Sequence, residues 1–123
     1  MKLKDRVVVI TGAGSGIGRA AAKEGACVVI VDINLSAAQE SAERIKAAGG
    51  AALAVETDVS NSESVQNLVR KVIVAFGRIN VLMNNAAIQV NKTVEETTVD
   101  EWNREWAVNV GGVFLCSKFF LHT

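Results

Sequence analysis

Four short runs, residues 6–10 (RVVVI), 27–31 (CVVIV), 51–55 (AALAV) and 80–84 (NVLMN), alternate along the chain with four helical patterns. All but the third are nearly continuous Val, Ile and Leu, the composition of strands covered on both faces. Such strands pair in parallel, and parallel neighbours need crossover connections. The alternation therefore predicts an α/β fold: a doubly wound parallel sheet in three layers, helices on both sides, with right-handed crossovers. It is short, at about four strands and four helices, and without linker, repeat or low-complexity stretch residues 1–123 read as one domain.

The helical stretches carry their own boundaries. The second opens as a capping box, Ser36 with Gln39, and stops at Gly49 and Gly50. The third starts at Ser60 with Glu63 in the same relation and ends at Gly77. Its apolar positions, Val65, Leu68, Val69, Val72, Ile73 and Phe76, make a one-faced stripe. The fourth starts near Thr98, with Glu101 at the matching place, and sets Trp102 and Trp106 on one face, for packing or for a subunit contact. Farther on, Val110, Val113, Phe114, Leu115, Phe119, Phe120 and Leu121 are apolar on more than one face.

Composition removes several classes. With 13 basic and 13 acidic residues, nothing marks a nucleic-acid binder or a basic membrane helix. No apolar run is long enough for a membrane span. The start, MKLKDRVVVITG, enters a strand directly, without a leader pattern. Cys27 and Cys116 are too few for a disulfide framework and read as buried, reduced thiols in a cytoplasmic protein. His122, the single histidine, has no metal-ligand company and reads as a surface residue.

Between the first strand and first helix lie four glycines in seven residues, Gly12 to Gly18. A helix N-terminus carries unpaired N–H groups and partial positive charge, and glycine lets a pyrophosphate approach the bare backbone there. The spacing is G-x-x-x-G-x-G at Gly12, Gly16 and Gly18, not the commoner G-x-G-x-x-G. Asp32, at the tip of the second strand, is placed to accept hydrogen bonds from adenosine ribose hydroxyls. A carboxylate there repels a 2′-phosphate, and the adjacent Ile33 brings no compensating cation. NAD is expected over NADP.

The stretch from Thr11 to Gly18, TGAGSGIG, resembles the TGxxxGIG motif of the short-chain dehydrogenase/reductase family. Three further matches follow in order: Asp58-Val59 resembles its DV pair, Asn84-Asn85-Ala86-Ala87 its NNAG motif, and Asn109 in WAVNVGGVF its asparagine. The resemblance covers the whole chain. It implies a Rossmann-like fold, a nicotinamide cofactor across the carboxyl edge of the sheet, and hydride transfer at an alcohol or carbonyl carbon. Carried over residue by residue, it implies cofactor contacts at Thr11, Gly12, Ser15, Gly16, Ile17, Gly18, Asp32, Ile33, Asp58, Val59, Asn85, Ala86 and Ala87. Asp58 contacts the adenine ring in this reading. Asn109 is implied as the catalytic asparagine that holds the active-site helix and a proton-relay water. A homo-oligomer formed through the fourth helix is also implied.

Three departures qualify the match. Ala87 stands in place of the usual glycine. Only five residues separate Gly18 from Glu24, so the first helix is shorter than the family's by about one turn, or roughly 6 Å. A helix of about two turns is expected, with Ile17, Ala20 and Ala21 toward the sheet and a poorly filled patch above strands one and two. One large aliphatic side chain less costs roughly 1.5–3 kcal/mol of burial. The third departure is chemical. The family's catalysis uses a tyrosine acid/base, a lysine four residues later and a serine, and this chain contains no tyrosine. Ser117 and Lys118 do not match those positions. The chain therefore reads as the cofactor-binding half of a dehydrogenase, inactive alone, at about half the family's usual length. The alternative is a nucleotide-binding or interaction module without catalysis.

Overall fold

The computed structural model describes residues 2–12 and 16–121. Four strands form one parallel sheet: β1 (Val7–Thr11), β2 (Cys27–Asp32), β3 (Ala51–Glu56) and β4 (Val81–Asn84), in the order β3-β2-β1-β4. Val9 lies opposite Val29 on one side and Leu82 on the other, and Val29 lies opposite Leu53. The helices are α1 (Ile17–Lys23), α2 (Leu35–Ala47), α3 (Ser62–Phe76), α4 (Val99–Trp106) and α5 (Gly112–Phe120). A π-helical turn, Ala107–Gly111, joins α4 to α5 through residues that all keep right-handed helical backbone, so the three pieces form one rod. The expected four strands and four helical units are present, with strand ends within one residue of expectation.

The alternation of side chains along a strand sorts the core into two layers. Val7, Val9, Val29 and Val31 face Val65, Leu68 and Val72 of α3 and Cys116 and Phe120 of α5. Val8, Ile10, Val28 and Ile30 face Ala21 of α1 and Ala38 and Ile45 of α2. Central β1 and β2 are thus covered on both faces, as their composition predicts. The edge strand β4 is only half covered despite its apolar composition, with Val81 38% exposed, and among the described residues no strand flanks it on the side away from β1. Cys116 is buried, and burial pushes its thiol up to about 11; Cys27 is half-buried. Among the described residues no helix is long and apolar enough to cross a membrane.

Two expected helix starts are corrected. The cap of α2 is Asn34, whose side chain accepts from the Ala37 amide at 3.2 Å, so the helix begins before Ser36. The cap of α3 is Asn61, accepting from the Ser64 amide at 2.9 Å, while the Ser60 hydroxyl turns back to donate to Asp58 Oδ1 at 2.6 Å. In both places asparagine takes the role given to a nearby serine. The fourth start is as expected, a capping box between Thr98 and Glu101. Gly77 ends α3 in left-handed conformation, φ 77°, its amide donating to Ile73 O.

The first helix has seven residues, the expected two turns, but a different face meets the sheet. Gly18 and Ala21 are buried, whereas Ile17 and Ala20 are exposed. A Cβ at Gly18 would lie 2.9 Å from Ile30 Cδ1, so the helix rests on β2 at that glycine and its orientation follows. Nor is there a bare patch above β1 and β2, where Val8, Ile10, Val28 and Ile30 are all buried. Ile45 of α2 fills in: its Cδ1 would lie 3.6 Å from a Cβ at Gly18. The unfilled space sits instead between Arg19, Ala22 and Lys23 of α1 and Ile45, Ala48 and Gly49 at the end of α2, a groove of about 310 Å³.

The outer side of the α4–α5 rod carries exposed Trp102, Trp106, Val110, Val113 and Phe114. The two indoles pack edge to face, with ring centroids 5.7 Å apart.

Candidate active site

At the carboxyl ends of β1, β2 and β4 the loops turn away from the sheet and leave a pocket of about 220 Å³. A crevice in this position is where open parallel sheets place ligands. Gly12, Asp32, Ile33, Asp58, Val59, Asn85, Ala86 and Ala87 line it, all of them expected from the sequence to touch a cofactor. Sequence reasoning missed Val31, Thr57, Ile88, Arg104 and Val108, which line it too. Ile88 directly follows the NNAA stretch and Val108 directly precedes Asn109, and that adjacency was the available signal. Arg104 reaches the pocket from α4 and had no signal in the sequence.

Gly12 has φ 87°, a conformation natural to glycine, and a Cβ there would lie 3.1 Å from Asn85 O and 3.2 Å from Ala86 N and Cα. Its bare backbone admits the segment after β4. By contrast, among the described residues a Cβ at Gly16 meets nothing within 4 Å. Ile17 and Gly18 stand on α1 outside the pocket lining, with Gly18 packed on β2. Ala13, Gly14 and Ser15 lie outside the described residues, as does His122.

Thr11 is buried at the end of β1 and does not line the pocket. Its Oγ1 accepts from the amides of Asn85 at 3.0 Å and Ala86 at 3.1 Å and donates to Met83 O at 3.4 Å. Thr11 thus positions the pocket wall. Asp32 ends β2 half-buried, one carboxylate oxygen accepting from the Asn34 amide at 2.8 Å. Asp58 Oδ1 accepts from both the amide and the hydroxyl of Ser60. The neighbouring Thr57 hydroxyl is buried with no hydrogen-bond partner among the described residues.

Asn109 sits in the π-helical turn. Its Oδ1 accepts from the Ile88 amide and its Nδ2 donates to Ile88 O, both at 2.8 Å. One turn earlier, Glu105 Oε1 accepts from the Val90 amide at 2.7 Å. One turn before that, Glu101 accepts from Lys92 Nζ at 2.9 Å and from the Thr98 amide at 3.0 Å. The Lys92 hydrogen bond, then the Thr98 amide, hold the Glu101 carboxyl down at about 2, against an ordinary 4.5. A lowered native pKa favours the folded state above the unfolded value and loses that contribution as pH falls through the native one. Acid unfolding between pH 4.5 and 2 is therefore expected to be less steep in E101Q than in the wild type. Equal slopes in circular-dichroism titrations would contradict the assignment. Among the described residues no group of three or more His, Cys, Asp or Glu is placed to hold a metal.

The chain matches the short chain dehydrogenase family over residues 6–123. It is 43% identical over 127 residues to the meso-2,3-butanediol dehydrogenase of Serratia marcescens, covering 98% of this chain and 49% of that protein. It superposes on an NAD+-bound xylitol dehydrogenase with TM-score 0.91 and 31% identity, covering 99% of this chain and 49% of the other. A metagenomic short-chain oxidoreductase in complex with NADP gives TM-score 0.92 and 30% identity, over 99% of this chain and 57% of the other. The chain belongs to the short chain dehydrogenase family. It spans about half the length of the curated relatives it matches.

Proposed function

We propose that this chain supplies the dinucleotide-binding half of an NAD-dependent dehydrogenase or reductase acting on an alcohol or carbonyl carbon. The observation that carries the reading is the pocket itself, where Gly12, Asp32, Asp58, Val59 and Asn85–Ala87 converge from the carboxyl ends of all four strands. Asp32 and Ile33 are assigned to the adenosine ribose, and Asp58 and Val59 to the adenine. The carboxylates of Asp32 and Asp58 and the close-set backbone of Gly12 suit a polar ligand lying along this edge. When bound, the nicotinamide supplies the hydride-accepting carbon. The residues of this chain bind and orient the dinucleotide, and Asn109 holds the wall of its pocket through Ile88.

The preference for NAD rests on Asp32, since relatives of this fold include one bound to NAD+ and one in complex with NADP. A carboxylate beside the ribose accepts its hydroxyls and repels a 2′-phosphate. The acid–base step is assigned elsewhere than to these 123 residues, which hold no tyrosine. Calorimetric titration with NAD is expected to show one saturable site, and a screen of secondary alcohols with NAD is expected to show no turnover. Turnover by this chain alone would overturn the division of labour, and absence of NAD binding would overturn the site. Binding without turnover is also what a non-catalytic nucleotide module gives, and a downstream coding sequence carrying a serine and a Tyr-x-x-x-Lys motif would separate the two.

A further inference from the structure

The segment that forms one wall of the pocket has no secondary structure, yet its amides are held. Among the described residues, no backbone–backbone hydrogen bond outside regular elements begins or ends on residues 85–92. Side chains take over. Thr11 accepts the amides of Asn85 and Ala86, Asn109 that of Ile88, and Glu105 that of Val90, while Glu101 takes the Lys92 ammonium. The three helix partners are four residues apart, and their loop partners are two apart in the opposite direction. Four helical residues advance about 6 Å. Two residues of extended chain span at most about 7 Å. The two spacings match, so the segment runs beside the rod as a ladder of side-chain rungs.

We propose that Glu105 is a positioning residue of the dinucleotide pocket, its carboxylate standing in for the missing backbone partner of Val90. The rung is 2.7 Å long and charge-assisted, and both residues are half-buried. It lies between the solvent-facing Lys92–Glu101 pair and the Asn109–Ile88 double bond. Releasing it frees the chain two residues beyond Ile88, which lines the pocket. The effect reaches the ligand without contact, because Glu105 is not among the residues lining that pocket. This inference rests on reading the pocket as a dinucleotide site.

The test uses two mild variants of the whole chain. E105Q keeps an acceptor oxygen at the same reach, whereas E105D keeps the charge but withdraws it by one methylene. NADH affinity is read by fluorescence titration, and the rung by hydrogen exchange of the Val90 amide. E105D is expected to weaken NADH binding about tenfold, the loss of one charge-assisted bond, and to speed exchange at Val90. E105Q is expected to stay within about threefold of wild type, with protection retained. Wild-type affinity in E105D, or equal losses in both variants, would overturn the positioning role while leaving the pocket assignment intact. Failure of the unmodified chain to bind NADH would instead strike the pocket assignment itself.

Discussion

Replacing Asp32 with alanine is expected to weaken NAD binding by about ten- to a hundredfold, the worth of hydrogen bonds to a charged group. NADP binding should change less or improve, because the same substitution removes a negative charge facing the 2′-phosphate. The carboxylate also accepts the Asn34 amide, which steadies the start of α2. D32N separates the two effects: it retains an acceptor for Asn34 while removing the charge. If the charge sets cofactor choice, D32N shifts the NAD-to-NADP affinity ratio toward NADP with little change in melting temperature. An NAD affinity unchanged in D32A would show that the ribose lies elsewhere.

The second large effect is expected at Gly12. An alanine there must hold φ near 87°, where L-residues are strained by about 1–3 kcal/mol. Its methyl must also fit 3.1 Å from Asn85 O and 3.2 Å from the Ala86 backbone. Neither neighbour yields cheaply, since both are main chain and both amides are already tied to Thr11. G12A is thus expected to lower the melting temperature by roughly 5–15 °C and to impair NAD binding together with stability. Gly16, where a methyl meets nothing, is the control: G16A should melt like the wild type. Equal melting of G12A and wild type would mean that the wall after β4 is softer than its contacts imply.

Much of this was legible in the sequence, for identifiable reasons. Strands β1 and β2 are buried on both faces, and a run of Val and Ile records that directly. The same composition misled at β4, because the pattern of a strand does not say whether a neighbour covers it. The stripe of α3 survived intact, with Val65, Leu68 and Val72 buried. Two of the three expected N-caps did not, because Asn34 and Asn61 compete with serines close by, and only three-dimensional reach decides between them. Which side of α1 meets the sheet followed from one contact, Gly18 on Ile30, rather than from the hydrophobic pattern.

The pocket was read well where a motif brings its residues together and poorly where they come from afar. Residues at strand tips share one edge by topology alone, so Gly12, Asp32, Asp58 and Asn85 meet there. Arg104 arrives along a helix that begins beyond the β4 loop, and no local pattern announces it. Thr11 carries a structural part that the motif did not announce, its hydroxyl accepting two amides of the wall. Glu105 looks like any solvated helix acid until its partner, 15 residues earlier in the chain, is known.

The single hydroxyl of Thr11 has a thermodynamic consequence. By seizing two successive amides, it makes the end of one strand and the start of the neighbouring segment a single preorganised unit. A ligand arriving there has less conformational entropy to remove from that wall, so more of its contact energy appears as affinity.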